Sequence, residues 1–234
     1  MNDAATDRPP PPTHAALGRV RLLGEALREA PQTLAAWWRG AAASRFPDDV
    51  AFHGHDGTRT IARYPEVHYR WLDGAPALFS FGEAAQRAMG HPWPGSELRL
   101  GPHVRTIAEV QWNVVPLTRG LSRRLVRYEF RAPWLALNQA NYGRYRTMAR
   151  AERRAELDRI LVGNLLSMST GFGWFFEAGE TVYAAADVTR EVACTVKDTV
   201  LVGFEGSFVC NLELPDHLAL GRSVSHGFGC FVRA

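Results

Sequence analysis

The chain has 234 residues, 46% of them hydrophobic, which is enough to bury a core and leaves room for one large domain or two small ones. Its three cysteines, Cys194, Cys210 and Cys230, show no CxxC spacing, which argues against a disulfide framework or a zinc site and makes a reducing, cytoplasmic setting the default. The net charge of +3 hides an uneven distribution: residues 105–159 hold 12 arginines against 5 acids, net +7, whereas 160–220 hold one arginine and one lysine against 8 acids, net −6. Because Lys197 is the only lysine, this basic charge is carried by arginine, whose planar fork suits paired bonds to phosphate and stacking on bases. A polyanionic partner and a solvated helix face are the two readings of it.

Residues 1–15 are polar and Pro-rich and read as a disordered leader, with no basic segment running into an apolar one and so no signal peptide. A strand is expected over 19–27, with a helix as the alternative. Pro31 opens a helix through Leu34, Trp37 and Trp38 to about Arg45. The next stretch, Val50-Ala51-Phe52-His53-Gly54-His55-Asp56-Gly57, sets two histidines one residue apart before an Asp-Gly turn signal. Strands follow over 64–72 and 77–81 around Asp73-Gly74, then a helix over 83–89 and strands at 98–100 and 107–115. Strand, helix, two strands, helix, strand is the ferredoxin-like order of elements.

The second half opens with a strand over 123–130, stopped by Pro133. Asn138 is a natural N-cap for a helical region, which Gly143 and the polar run after it are expected to divide. Leu157, Ile160, Leu161, Leu165 and Met168 recur at helical spacing and form an apolar stripe for the core. The weakly polar run 160–176 is interrupted by glycines and polar residues, so it is no membrane span. Strands are expected at 182–186, 193–196, 200–204 and 208–214. The reading is α+β, with an N-terminal unit over 16–118 and a C-terminal unit over 119–234.

Two stretches carry chemistry. The loop Gly221-Arg222-Ser223-Val224-Ser225-His226-Gly227-Phe228-Gly229 brings backbone N–H groups close to a ligand and can cradle phosphate, with Arg222 and His226 adding charge or hydrogen bonds; a glycine-rich hairpin before a terminal strand is the alternative. Arg123, Arg124, Arg127, Arg144 and Arg146 are candidate phosphate contacts, and Phe228 offers a ring to stack on a base. His53 and His55, at i and i+2, point to one side if the chain is extended there, and an ordinary pKa near ~6.5 lets each act as acid or base. A metal held by His53, His55 and Asp56 is the alternative, but no third histidine or carboxylate has helix-fixed spacing such as HExxH, so neither metal nor cofactor is expected.

Together, Phe52-His53-Gly54-His55, Tyr64-Pro65-Glu66-Val67-His68-Tyr69-Arg70, the segment from Phe130 to Tyr142 and the glycine loop resemble the Cas6 CRISPR repeat endoribonucleases, more narrowly the Cas6b branch. The resemblance runs in order from about residue 18 to the C-terminus. It implies tandem ferredoxin-like domains of the RAMP type. It also implies metal-independent cutting of precursor CRISPR RNA by the RNA's own 2′-OH, leaving 2′,3′-cyclic phosphate and 5′-OH ends. In that branch activity depends on a histidine of the His-x-His stretch and a following tyrosine; carried over, these are His53, His55 and Tyr64, with His55 as the essential residue. The implied partners are CRISPR repeat RNA, its crRNA product and other Cas effector subunits, with no membrane. The chain departs from the pattern at Ala219-Leu220-Gly221, where Gly-x-Gly is common, and at Gly54, where Asn is common. A non-catalytic RNA-binding subunit of a CRISPR effector complex, and a domain binding a small phosphorylated ligand, are the alternative functions.

Overall fold

The structure, a computed structural model, describes residues 11–53, 55–56, 59–60 and 64–234; at positions 50, 53, 55, 56, 59 and 60 it describes the backbone alone. The chain opens with β1 (His14–Leu22), α1 (Pro31–Arg45), the short α2 (Val50–His53) and the paired β2 (His55–Asp56) and β3 (Arg59–Thr60). β4 (Val67–Leu72), β5 (Ala75–Phe81), α3 (Gly82–Gly90), β6 (Glu97–Leu100) and β7 (His103–Pro116) complete the first half. The second half comprises β8 (Leu121–Phe130), α4 (Gln139–Thr147), α5 (Arg150–Gly171), β9 (Ala184–Val196), β10 (Thr199–Leu212), a 3₁₀ turn (Val224–His226) and β11 (Phe231–Arg233).

The strands form two larger antiparallel sheets of the same design. In the first, β4-β5-β1-β7 places a βαββαβ unit in ferredoxin-like order, with β6 added at the β7 edge. In the second, β11-β8-β10-β9 repeats that order. The two folds are tandem ferredoxin-like units with one difference: where the second helix of the C-terminal unit would stand, the chain runs through residues 213–230 with only a 3₁₀ turn. The glycine-rich stretch therefore occupies a helix's place.

Local sequence dictates much of this. Asp73 and Gly74 both take positive φ (52° and 81°), the geometry of a two-residue hairpin loop whose twist matches its strands. Asn138 caps α4 with a reciprocal box to Asn141, each side chain receiving the other's backbone N–H at 2.8 and 2.9 Å. The stripe on α5 is buried as expected, in one core with Phe79 and Phe81 of the first sheet and Tyr128, Phe204 and Phe208 of the second. The opposite face of the first sheet is covered by α1 and α3 over Trp38, Leu78, Tyr69 and Trp93.

Three features of the element boundaries differ from the sequence expectation. β1 begins at His14, because Ala15 and Ala16, fully buried, are held in register by β5 and β7. Gly143 lies inside α4, and the helical region divides instead at Met148, whose N–H closes the end of α4 on Tyr145. The four late strands are two: β9 and β10 form one long hairpin around Lys197 and Asp198, continuous through a bulge between Glu205 and Gly206. Residues 1–10 of the expected leader lie outside the described residues. Among the described residues no helix is long and apolar enough to cross a membrane.

Candidate functional site

The histidine stretch starts on α2. Phe52 is buried, and the Tyr69 hydroxyl donates to its carbonyl oxygen at 3.1 Å, which fixes the backbone immediately before His53. The side chains of His53 and His55, the proposed acid and base, lie outside the described residues. Tyr64 is described. Its hydroxyl donates to the Ala219 carbonyl at 2.7 Å, and its ring packs against His68 and Phe172. Burial pushes its phenol well above the usual value, so it is a neutral donor already committed to the backbone ahead of the glycine loop.

Two residues from the same stretch, given no role by sequence reasoning, make a second tie. Arg70 is 1% exposed; its Nη1 donates to the carbonyls of Tyr69 (2.9 Å) and Val224 (2.7 Å), and its Nη2 lies 3.1 Å from His68 Nδ1. A guanidinium only donates, so His68 Nδ1 accepts and Nε2–H donates to the Pro65 carbonyl at 2.9 Å. Burial, reinforced by the Arg70 charge, holds His68 well below the usual imidazole value and keeps it neutral. Among the described residues Arg70 is balanced by carbonyl dipoles and not by a carboxylate. The segment 64–70 thus grips 219–224 at two points.

The loop does not use its glycines as the sequence suggested. Gly221, Gly227 and Gly229 all have positive φ (90°, 88° and 65°). A Cβ at these positions would lie 2.7 Å from the Trp134 ring, 2.7 Å from Ala35 Cβ and 1.9 Å from the Leu220 carbonyl oxygen. The close approach is to the protein's own backbone and side chains. Phe228, expected to stack on a base, is instead 2% exposed and packs against Leu135 and Cys194. What the loop presents outward is Arg222, exposed, and Ser223, Ser225 and His226, half-buried. His226 is pulled down to about 4, first by burial and then by the positive charges of Arg39 and Lys197. Arg39 from α1 and Lys197 from the tip of the β9–β10 hairpin are therefore near enough to the loop for their charges to act on His226. Sequence reading missed both, since they come from elements distant in sequence; the solitary lysine at a hairpin tip was the available signal.

The five strand and helix arginines are not on one surface. On β8, Val126 and Tyr128 point into the core with α5, and Arg127 points away, its Nη2 donating to Ser207 Oγ (2.7 Å) and pairing with Asp187 (3.1 Å). Arg123 and Arg124, near the start of that strand, are exposed. Arg144 and Arg146 belong to the helical side: Arg144 pairs with the nearly buried Glu156 at 2.8 Å, and Arg146 lies 5.9 Å from the Tyr142 ring centroid. The sheet separates Arg127 from Arg144 and Arg146. Among the described residues there is no cluster of three or more His, Cys, Asp or Glu able to hold a metal ion.

Comparison with known proteins agrees with this architecture over nearly the whole chain. The Cas6b N-terminal domain matches residues 19–113 and the Cas6b C-terminal domain residues 120–234. A crystal structure of Cas6b superimposes with a TM-score of 0.81 at 26% identity, covering 94% of this chain and 100% of that one. A crystal structure described as the CRISPR RNA processing endoribonuclease Cas6b does so with a TM-score of 0.71 at 25% identity, again over 94% and 100%. An uncharacterized protein of Methanocaldococcus jannaschii is 35% identical over 114 residues, 49% of this chain and 76% of that protein. With both domain models matched in order and the tandem fold shared from end to end, the chain belongs to the Cas6b family.

Proposed function

We propose that the chain is a metal-independent endoribonuclease that binds CRISPR repeat RNA and cuts precursor CRISPR RNA. The observation that carries this reading is the double tie between the two stretches singled out for chemistry: Tyr64 to Ala219 and Arg70 to Val224 hold the end of the histidine segment against the glycine loop. The Cas6b endoribonuclease that shares the fold supports the reaction class.

In this reading a 2′-OH of the repeat attacks the adjacent phosphorus. One imidazole of His53 and His55 takes the hydroxyl proton, the P–O5′ bond breaks, and the other imidazole returns a proton to the departing 5′-oxygen. The products carry a 2′,3′-cyclic phosphate and a 5′-OH. No water or metal enters the balance, because the nucleophile belongs to the substrate. Arg222, Ser223, Ser225 and His226, with Arg39 and Lys197, hold phosphates and oppose the charge that builds on the pentacoordinate phosphorus. Gly221, Gly227 and Gly229 shape that loop from within. Tyr64 orients the segment and does not donate to the phosphate, since its proton is already given to Ala219.

The test is incubation of the protein with labelled repeat RNA in excess EDTA, followed by analysis of product ends. One cut leaving a 2′,3′-cyclic phosphate is expected. Tight, salt-sensitive binding without any cut would replace the enzyme with a non-catalytic RNA-binding subunit.

A further inference from the structure

We propose that Asp49 is a positioning residue for the histidine segment: its carboxylate, tied to Ala51, Arg87 and His91, sets where the backbone emerges at His53. This inference rests on the endoribonuclease reading above and adds a residue to it. Its starting point is a problem of scale. α2 has four residues, too few to hold its own shape, since a helix that short gains little from propagation after the cost of its first turn. Something outside it must fix it.

Asp49 stands immediately before α2, with its side chain 11% exposed. Its Oδ1 accepts the Ala51 backbone N–H at 3.1 Å, which makes it the N-cap of the helix, and pairs with Arg87 Nε at 3.2 Å. Its Oδ2 lies 3.1 Å from His91 Nε2, and because the carboxylate only accepts, that nitrogen carries the proton. Arg87 is in the last turn of α3 and His91 directly follows that helix, so one carboxylate joins the start of α2 to the end of α3. The His91 ring is stacked on Phe46, with centroids 3.8 Å apart, and meets the Phe52 ring edge-on at 5.2 Å.

Downstream, the Tyr69 hydroxyl holds the Phe52 carbonyl at 3.1 Å. The two ties lie three residues apart in sequence, and the next residue is His53. A buried, paired carboxylate is weak evidence for stability, but it does specify one geometry. General acid and base catalysis is sensitive to that geometry, with a misplacement of about 1 Å costing on the order of 100-fold.

The experiment measures single-turnover cleavage of repeat RNA, RNA dissociation constants and denaturation midpoints for wild type, Asp49→Ala, Asp49→Asn and His91→Phe. Asp49→Ala is expected to cleave about 10- to 100-fold more slowly with RNA affinity within about threefold. Asp49→Asn keeps a capping oxygen for Ala51 and is expected to recover to within about fivefold of wild type. His91→Phe keeps the stack on Phe46, loses the bond to Asp49 and is expected to fall by about 3- to 10-fold. Wild-type cleavage rates in Asp49→Ala would overturn the inference, as would a loss of RNA affinity matching the loss of rate, or an Asn variant no better than Ala. Failure of the wild type itself to cut would instead remove the enzymatic reading, and the inference with it.

Discussion

Arg70 and His68 show how a single side chain can connect two halves of a chain. Burying a guanidinium is costly unless its donors are met; here Nη1 meets two carbonyls and Nη2 a ring nitrogen, one of those carbonyls 154 residues away, while the buried Nε has no hydrogen-bond partner among the described residues. The His-x-Arg pair was visible in the sequence as part of a family motif. Its role was not, because burial and partner depend on which strand face meets the C-terminal unit. Tyr64 was expected to take part in catalysis, and sequence could not show that its hydroxyl donates to the Ala219 carbonyl. The buried histidines also fix a pH response. His68, His217 and His226 are all held below the usual 6.5 by burial, so the unfolded chain binds more protons than the folded one as pH falls through that value towards about 4. Stability is therefore complete above about pH 6.5 and declines below it. Urea midpoints measured from pH 7.5 to pH 5 are expected to fall steadily in the acid half of that range. The lowered carboxylates Glu29, Glu109 and Glu156 act only below 4.5 and do not confuse this window. A flat midpoint from pH 7 to pH 5 would contradict the assignment.

Among the elements, the glycine loop is the one whose purpose changed most between sequence and structure. Its composition suggested open backbone for a ligand, yet each glycine is required where the loop folds against Trp134, Ala35 and Leu220 in the place of a missing helix. Local patterns found the Asp73-Gly74 hairpin, the Asn138 cap and the α5 stripe, because each is decided within a few residues. They did not find the start of β1 or the length of β9 and β10, which are decided by cross-strand partners. Two glycine substitutions separate these cases. Gly229→Ala places a Cβ against the Leu220 carbonyl at positive φ and is expected to lower the unfolding free energy by about 3 kcal/mol. Gly163→Ala, inside α5 with nothing within 4 Å, is expected to raise it by roughly 0.8 kcal/mol. Equal effects in a denaturant titration would mean that the loop is not packed as described.

At the scale of the whole molecule, two sheets of one order, β4-β5-β1-β7 and β11-β8-β10-β9, meet over a continuous core, and the histidine segment and the glycine loop are tied together across it. The net positive middle of the chain is not one basic face: the C-terminal sheet sets Arg127 on one side and Arg144 and Arg146 on the other. Charge counted along the sequence could not show this division, which comes from strand alternation. Positive charge reaches the glycine loop instead from α1 and the β9–β10 tip, where Arg39 and Lys197 act on His226. The central claim, that the segment beginning at His53 cuts RNA held by this surface, is tested most directly by His55→Ala. Its single-turnover cleavage of repeat RNA should fall by about 100-fold or more while its RNA dissociation constant stays within about threefold of wild type. Unchanged cleavage, or cleavage and binding lost in parallel, would contradict the account.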